Sequence, residues 1–384
     1  MKQLLSVLFA ILAALPATAQ NDRGPMPTNL ESKHYKLQAT TDAEKAQDLL
    51  DFMELVFSTY KALLKPDNPD EIEKRQFTVV LYKDNEEYKA SGAPAGSGAY
   101  YNGRELVGYF DEFLMKPFFA HEGMHQFTDV TSKNFRAFPM WFTEGIADCI
   151  GNSVVKDKKL YMCVRTGAIA RMRLPLIQGA LKSGKAYPLA TLLTLDRNKF
   201  MADAGLCYAQ SWSFCHFLIC YPSYEEKSSQ IPNGSFRKNL AIYYELLRVG
   251  GTTHQKAWDE AFKGFPLDSL ESMWKKYVEK FEGPKLMGFG GRDMNDDECA
   301  NLGLGKNEGA VLMEKFGEDS VGKAAGCRDG DALVNVNGRA LPRDGALNML
   351  RYVLGDWPYN RKLKIEVLRG ESKERIELFV VWKK

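Results

Sequence analysis

Residues 121–125 of this 384-residue chain read His-Glu-Gly-Met-His, and this spacing predicts both a secondary structure and a chemistry. Residues four positions apart lie one above the other on a helix, so His121 and His125 can reach one metal ion from a single face. Glu122 then lies beside the metal, where a general base is needed. Only five histidines occur in the chain, so chance is a poor explanation. The sequence therefore predicts a helix with His121 and His125 as metal ligands and Glu122 as the catalytic base.

Two histidines do not complete a catalytic zinc site, which normally has three protein ligands and one open position. One class of zinc peptidases has a glycine and a third histidine three and six residues after the second histidine. This chain has Thr128 and Thr131 at those positions. The inverted motif His-x-x-Glu-His is absent from the sequence. The third ligand must therefore come from another part of the chain.

Downstream of the histidine pair, residues 139–148 read Pro-Met-Trp-Phe-Thr-Glu-Gly-Ile-Ala-Asp. Here the chain resembles the gluzincin metallopeptidases, the thermolysin-like class, across roughly residues 118–149. The resemblance implies Zn²⁺ as the cofactor and Glu144, from a second helix, as the third ligand. It also implies that Asp148 accepts the other N–H of a ligand histidine and so orients its ring.

By this resemblance the chain is a zinc metallopeptidase that hydrolyses peptide bonds with a zinc-bound water. Zinc lowers the pKa of that water towards ~7. Glu122 takes its proton and then delivers it to the leaving amine. An oxyanion donor is still needed. Tyr208 is the candidate, because gluzincins often place a tyrosine or histidine there from a later helix. The alternative is a tyrosine at the edge of the core, and His216, among apolar neighbours, is expected to be a packed residue.

A hairpin is predicted just before the histidine motif. Two short apolar runs, residues 98–101 and 106–110, flank Asn102-Gly103, a pair that favours a two-residue hairpin turn. The second run could pair with an extended substrate by strand addition.

The C-terminal part of the chain has short strands, glycine turns and one helix. Residues 330–338 read Gly-Asp-Ala-Leu-Val-Asn-Val-Asn-Gly, which resembles the signature of PDZ domains of the bacterial protease-associated type. In that family, loop amides hold the terminal carboxylate of a peptide that adds as a strand. The resemblance implies this role for Leu302, Gly303, Leu304 and Gly305, whose glycines allow close backbone approach. A PDZ-like fold that only packs on the catalytic lobe is the alternative.

These patterns together predict an α+β protein. We expect an N-terminal α/β lobe with a small mixed sheet up to about residue 115, then a mostly helical zincin lobe, and a C-terminal PDZ-like β-rich domain. The metallopeptidase domain is predicted over residues 33–285 and the PDZ-like domain over residues 296–384. Gly283-Pro284 interrupts the helical pattern between them.

The first nineteen residues have the features of a secretory signal peptide. Lys2 provides a positive start, residues 4–14 are apolar, and residues 17–19 are small, which predicts cleavage before Gln20. The apolar run is short for a membrane span, and a membrane anchor is the alternative. We expect a secreted or periplasmic protein with a flexible lead-in at residues 20–32 and no stable membrane insertion.

Composition narrows the expected partners. The net charge is +2 and no Lys/Arg run stands out, so nucleic acid is not expected. The expected partners are a peptide or protein substrate and, at the PDZ-like domain, a C-terminal peptide. Seven cysteines occur without a Cys-x-x-Cys pair. One or two disulfides are compatible with the sequence, which does not fix a pairing.

Two other functions stay open. One is a non-catalytic, zinc-stabilised binding protein with a PDZ domain. The intact Glu122 argues against it, because a structural zinc site needs no general base. The other is a zinc hydrolase of a different amide, such as a cell-wall amide, which would use the same chemistry.

Overall fold

The computed structural model describes residues 24–64, 72–164, 167–222, 234–281, 287–343, 345–357 and 359–383. The chain divides into two compact units, here called the N-terminal unit, which ends at residue 282, and the C-terminal unit, which begins at residue 283. The predicted signal peptide and the predicted Gly283-Pro284 boundary lie outside the described residues. Within the described ranges, no helix has the length and apolar character that a membrane span requires.

The N-terminal unit contains a five-stranded mixed sheet with the spatial order β1-β2-β3-β5-β4. Its strands are β1 (Thr28–Glu31), β2 (Tyr35–Ala39), β3 (Phe77–Tyr82), β4 (Ala99–Tyr101) and β5 (Glu105–Tyr109). β2, β3 and β5 are parallel, whereas β1 and β4 run antiparallel to their neighbours. The predicted hairpin around Asn102-Gly103 is confirmed, and Gly103 has the positive φ of +90° that such a turn requires.

The structure differs from two expectations about this sheet. Residues 28–31, inside the expected flexible lead-in at 20–32, form β1. They are ordered because they pair with β2 and because Leu30 packs against the core. The expectation that the strand at residues 106–110 could pair with an extended substrate is wrong. These residues correspond to β5, which is hydrogen-bonded to β3 on one side and to β4 on the other, so β4 is the edge strand on that side of the sheet.

The rest of the N-terminal unit is mostly helical. Its helices are α1 (Ala43–Leu64), α2 (Asn85–Ala90), α3 (Met115–Thr131), α4 (Met140–Gly151), α5 (Ala168–Lys182), α6 (Leu189–Leu192), α7 (Arg197–Ala202), α8 (Ala204–Cys220), α9 (Arg237–Val249), α10 (His254–Ala261) and α11 (Leu267–Glu279). A two-stranded hairpin, β6 (Val154–Lys156) and β7 (Lys159–Tyr161), follows α4. Most residues of α3, α4 and α8 are buried, so these three helices form the centre of the unit.

Local sequence explains where α3 and α4 begin. Asp111 accepts the backbone N–H groups of Phe113 and Leu114 and so turns the chain into α3. Pro139 precedes α4, where its fixed φ suits a helix start. Inside α4, a Cβ on Gly145 would lie 2.6 Å from the Ser211 carbonyl oxygen of α8. Glycine is therefore required there for the two helices to approach closely.

The C-terminal unit is built on an antiparallel sheet with the spatial order β13-β12-β10-β9-β8 and with β11 paired to β10. Its strands are β8 (Gly290–Asp293), β9 (Val311–Glu314), β10 (Ala332–Val336), β11 (Arg339–Ala340), β12 (Leu363–Arg369) and β13 (Glu374–Val380), and its helices are α12 (Asp296–Asn301), α13 (Val321–Ala324) and α14 (Ala346–Asp356). With helices and several small sheets, the predicted α+β class is confirmed at that coarse level.

Candidate metal centre

α3 presents the two motif histidines to one point. The Nε2 atoms of His121 and His125 lie 3.1 Å apart, and both side chains are buried. Tyr60 of α1 donates its hydroxyl to the Ala120 carbonyl at 2.6 Å. A Cβ on Gly123 would lie 2.5 Å from that hydroxyl. Glycine at this position therefore lets α1 pack directly against the motif.

Glu144 on α4 reaches the same point from the opposite helix. Its Oε2 atom lies 3.2 Å from His121 Nε2 and 3.4 Å from His125 Nε2. Two ligand atoms of a tetrahedral zinc ion with bonds of about 2.0–2.1 Å are roughly 3.3–3.4 Å apart. The three atoms therefore have the spacing of three corners of a tetrahedral zinc site, and the residues fit the implied ion.

Glu122 lies beside this triangle of atoms. A carboxylate oxygen of Glu122 falls with both imidazoles in a group of ligand atoms that lie within 4.8 Å of one another. Glu144, however, comes nearer to both histidines, and Glu122 Oε2 accepts the backbone N–H of Tyr101 at 3.0 Å. This arrangement favours Glu144 as the third ligand and Glu122 as the neighbouring base. Burial raises the pKa of Glu122, which suits a carboxylate that must take up a proton.

A buried chain of charged groups extends behind His121. His121 Nδ1 lies 2.8 Å from Asp148 Oδ1, and Asp148 Oδ2 accepts a hydrogen bond of 2.8 Å from Arg173 Nε. With the Nδ1–H given to Asp148, the Nε2 lone pair of His121 faces Glu144 and His125. This is the tautomer that a metal ligand requires. Asp148 thus lies between His121 and the Arg173 guanidinium.

The site has an excess of negative charge. Burial lowers the pKa of His121, but hydrogen bonds to Asp148 and Glu144 outweigh it and raise that pKa to about 10. Burial raises the pKa of Glu144, but the positive charge and hydrogen bonds of the two histidines outweigh it and hold that pKa well below its usual range. Both shifts have one cause: the cluster favours a positive charge between the carboxylates, whether a proton or a metal ion supplies it.

Arg173 is the site residue that sequence reasoning missed. It lies on α5, 25 residues beyond Asp148, and is 3% exposed. No motif marks it. The one available signal was compositional: Arg171 and Arg173 interrupt an otherwise apolar helical stretch, and both are buried. A buried arginine requires a partner charge, but local sequence does not say which carboxylate provides it.

Tyr208, the predicted oxyanion donor, lies on α8 and is buried. Its ring stacks under the Arg173 guanidinium, 5.0 Å from ring centre to Cζ, and packs edge-on against Phe200. Burial raises its pKa well above the usual value, and the charges of Glu144 and Asp148 add to this shift. Tyr208 therefore retains its proton near the carboxylates of the site.

His216, also on α8, is a packed residue as expected. Its Nδ1 lies 3.0 Å from the Tyr277 hydroxyl, and its Nε2 lies 2.8 Å from the Cys163 carbonyl oxygen. Both ring nitrogens of His216 are thus engaged away from His121, His125 and Glu144.

In the C-terminal unit, the loop predicted to hold a peptide carboxylate follows α12 and leads into β9. Leu302 and Leu304 pack against a buried cluster of Cys299, Ala310, Ala332, Val334 and Leu368. Gly303 has a positive φ of +74° and Gly305 an ordinary one. β9 is paired with both β8 and β10, so the strand after this loop offers no edge to a peptide.

β8 is one of the two edge strands of this sheet, with β13 at the opposite edge, and residues 287–289 lead into β8. The N–H of Met294 donates to Ala310 at 2.9 Å. Because hydrogen-bonding direction alternates along a strand, the backbone groups of Gly291 and Asp293 face away from β9. The Met287 carbonyl accepts the Ser320 hydroxyl at 2.7 Å, which holds the loop in place.

No known protein family matches this chain, and no curated protein is similar enough to count as a relative. An aminopeptidase N family protein from Idiomarina loihiensis is 10% identical over 93% of this chain and 67% of its own, with a TM-score of 0.27. The HtrA-type protease AlgW, solved with a decapeptide, is 18% identical over 29% of this chain, with a TM-score of 0.22. That match spans 33% of AlgW. These TM-scores are too low to show a shared fold, and neither likeness assigns an activity.

Proposed function

We propose that this protein is a secreted or periplasmic zinc metallopeptidase that hydrolyses peptide bonds. The observation that carries the proposal is the triangle of two imidazole nitrogens and one carboxylate oxygen, with edges of 3.1, 3.2 and 3.4 Å. His121, His125 and Glu144 would hold the ion. A second carboxylate, on Glu122, stands beside this triangle, as hydrolysis requires.

Each residue has a distinct part in the proposed reaction. A bound zinc ion would lower the pKa of a water ligand towards ~7 and polarise a substrate carbonyl. Glu122 takes the proton of the attacking water and then passes it to the leaving amine. The Tyr101 N–H holds the Glu122 carboxylate in one orientation for both transfers. Asp148 keeps His121 in the tautomer that presents Nε2. Tyr208 keeps its proton and is the proposed donor to the oxyanion.

The arrangement favours catalysis over a purely structural zinc site. A structural site is closed by four protein ligands. Among the described His, Cys, Asp and Glu residues, two carboxylates lie close to both histidines. These are Glu144, as described above, and Glu122. Glu122 is held by the Tyr101 N–H, and we propose that water or substrate takes the fourth corner of the tetrahedron. A zinc-stabilised binding protein would need no such carboxylate.

For the C-terminal unit we propose peptide binding at β8, and we move the carboxylate-binding role from residues 302–305 to residues 287–290. β8 is one of the two edge strands of its sheet, and a peptide can add there as a further strand. Gly288 has a positive φ of +78°, a conformation that turns backbone N–H groups outward in anion-binding loops. The Leu347 N–H at the start of α14 donates to the Asp293 carboxylate at 2.6 Å, so a helix begins beside this strand. The unit would recruit or orient the substrate.

The proposed activity is tested with a broad peptide library, zinc analysis and two proteins, the wild type and Glu122→Gln. We expect one zinc ion per chain in both proteins and cleavage by the wild type alone. A wild type that binds zinc but cleaves no peptide would exclude the peptidase and favour the hydrolase of another amide or the binding protein. Equal cleavage by both proteins would remove Glu122 as the base.

A further inference from the structure

Three buried cysteines of the N-terminal unit meet at one point. Cys149 lies in the last turn of α4, Cys163 follows β7, and Cys220 is the last residue of α8. Cys163 lies close enough to both Cys149 and Cys220 for the side chains of these two residues to shift the pKa of its thiol. All three side chains are buried, and all seven cysteines of the chain are thiols in this structure. Two disulfide pairings are therefore within reach of Cys163.

Backbone geometry distinguishes the two pairings. The Cys163 N–H donates to the Cys149 carbonyl oxygen at 3.1 Å. A backbone hydrogen bond of this length is compatible with a Cα–Cα distance of roughly 4.4–6.8 Å, the window that disulfides span. Each of the two side chains also shifts the pKa of the other thiol, so the side chains are neighbours. No backbone hydrogen bond joins Cys163 to Cys220 among the described residues. The closer match to disulfide geometry is Cys149 with Cys163.

A disulfide between Cys149 and Cys163 would anchor the β6–β7 hairpin to α4, the helix that carries Glu144. The loop that it closes contains the β6–β7 hairpin, and Val155 of this hairpin is 46% exposed. A two-stranded hairpin alone is marginally stable in water. Cys163 has a φ of +58°, which a side chain rarely adopts and which its surroundings must hold in place. The bridge would hold this residue on α4, the helix of Glu144 and Asp148.

We propose that Cys149 and Cys163 form an intramolecular disulfide when the chain folds in the presence of a small-molecule or protein disulfide. One cysteine thiolate attacks the external disulfide and releases one thiol. The second cysteine then attacks the mixed disulfide and releases the other thiol. The two cysteine sulfurs are oxidised, the external disulfide is reduced, and the two cysteine protons end on the released thiols.

The burial of the two thiols determines at which stage of folding the disulfide forms. Burial raises the pKa of the Cys149 thiol to about 12 and that of Cys163 well above its usual value. The folded protein thus holds few of the thiolates that exchange needs. The bond forms before the two residues are enclosed, and the folded, oxidised protein resists reduction.

The test uses the full chain, refolded from the reduced and denatured state with reduced and oxidised glutathione. Free thiols are then blocked with iodoacetamide, and an unreduced digest is mapped by mass spectrometry. We expect a peptide pair that links Cys149 to Cys163, with the other cysteines alkylated. Cys163→Ser should lose the linked pair, whereas Cys207→Ser, which replaces a buried cysteine at a different place, should keep it.

Alkylation of all seven cysteines in the refolded wild type, or a main link from Cys163 to Cys220, would overturn the proposal. A second measurement does not depend on the folding of any variant. Strong reductant added to the refolded wild type should lower its unfolding temperature only after the linked peptide pair has disappeared. An unfolding temperature that stays the same after the bond is broken would contradict the anchoring role.

Discussion

The two units of the molecule use ion pairs in opposite ways. In the N-terminal unit, Arg173 and Asp148 pair at 2.8 Å with side chains that are 4% and 2% exposed. In the C-terminal unit, Arg292 and Glu298 pair at 2.5 Å with side chains that are 42% and 29% exposed. The distances are similar and the surroundings differ. Water screens the exposed pair, whereas the buried pair has no substitute partner if one member is lost.

This difference shows which polar contacts serve chemistry. The buried pair continues through His121 into the triangle of ligand atoms, so its charge and orientation reach the proposed metal ion. Glu298 of the exposed pair also forms a capping box with Asn295 at the start of α12, in which the Asn295 side chain accepts the Glu298 N–H at 2.9 Å. It supports a short helix. Four predictions test this contrast.

The largest effect is expected for Glu122→Gln. The amide cannot accept a proton, so peptide cleavage should fall by a factor of about 10²–10⁴, the usual contribution of a general base. The comparison is made by steady-state kinetics on one short peptide at fixed zinc. The matched change in the C-terminal unit, Glu298→Gln, should leave this rate unchanged. A similar loss in both variants would mean that the effect is on folding and not on proton transfer.

Arg173→Met should come next, because it leaves Asp148 buried without its cation. Breaking a buried pair costs about 3–5 kcal/mol of stability, measured by urea unfolding, and losing a group behind a ligand weakens metal binding by about 10–100-fold. Zinc affinity is read from competition with a chromophoric chelator. Arg292→Met, at the exposed pair, should cost about 1 kcal/mol or less. Equal costs at the two sites would remove the distinction drawn above.

Removal of zinc should destabilise the N-terminal unit and leave the C-terminal unit unchanged. An ion at a concentration 100-fold above its Kd adds about 2.7 kcal/mol to the stability of the unit that binds it. With a chelator, amide hydrogen exchange should therefore rise across α3 and α4 and stay constant across β12. Glu144→Ala should abolish the response to chelator. If exchange changed in β12 and not in α3, the metal site would not be where we propose it.

The smallest expected effect is a loss of stability of the C-terminal unit at acid pH. The hydrogen bond from Arg292 and the backbone N–H of Asn295 lower the pKa of Glu298 from its usual 4.5 to about 2. A lowered pKa means that the stabilisation is complete above pH 4.5 and is lost as the pH falls towards 2. Because the pair is partly exposed, the loss should be roughly 0.2–1 kcal/mol. It is measured as the stability of the C-terminal unit from pH 5 to 2. In Glu298→Gln this dependence should shrink, and an unchanged dependence would assign it to other carboxylates.

Local sequence patterns predicted the elements of the fold well. The turn residues predicted the β4–β5 hairpin within a few residues of its observed ends, and the spacing of the two histidines predicted the helix that α3 forms. The order of the strands in the sheet could not be predicted from such local patterns. β5 reads as an exposed hairpin strand, yet it is interior because β3, far away in the chain, pairs with its other side. Strand pairing depends on contacts between distant segments, which a period of two residues does not encode.

The sequence by itself determined that one helix would present His121, His125 and Glu122 together, because the spacing of four residues is a property of the helix alone. The resemblance supplied Glu144 and Asp148. Only the tertiary structure decided that the Tyr101 N–H holds Glu122, that Arg173 stands behind Asp148, and that β8 is an edge strand of its sheet. The physical reason is the separation along the chain between the residues that interact. Helix and turn patterns follow from neighbours within a few residues, whereas the partner of a buried charge or of a strand edge is chosen by packing of the whole unit.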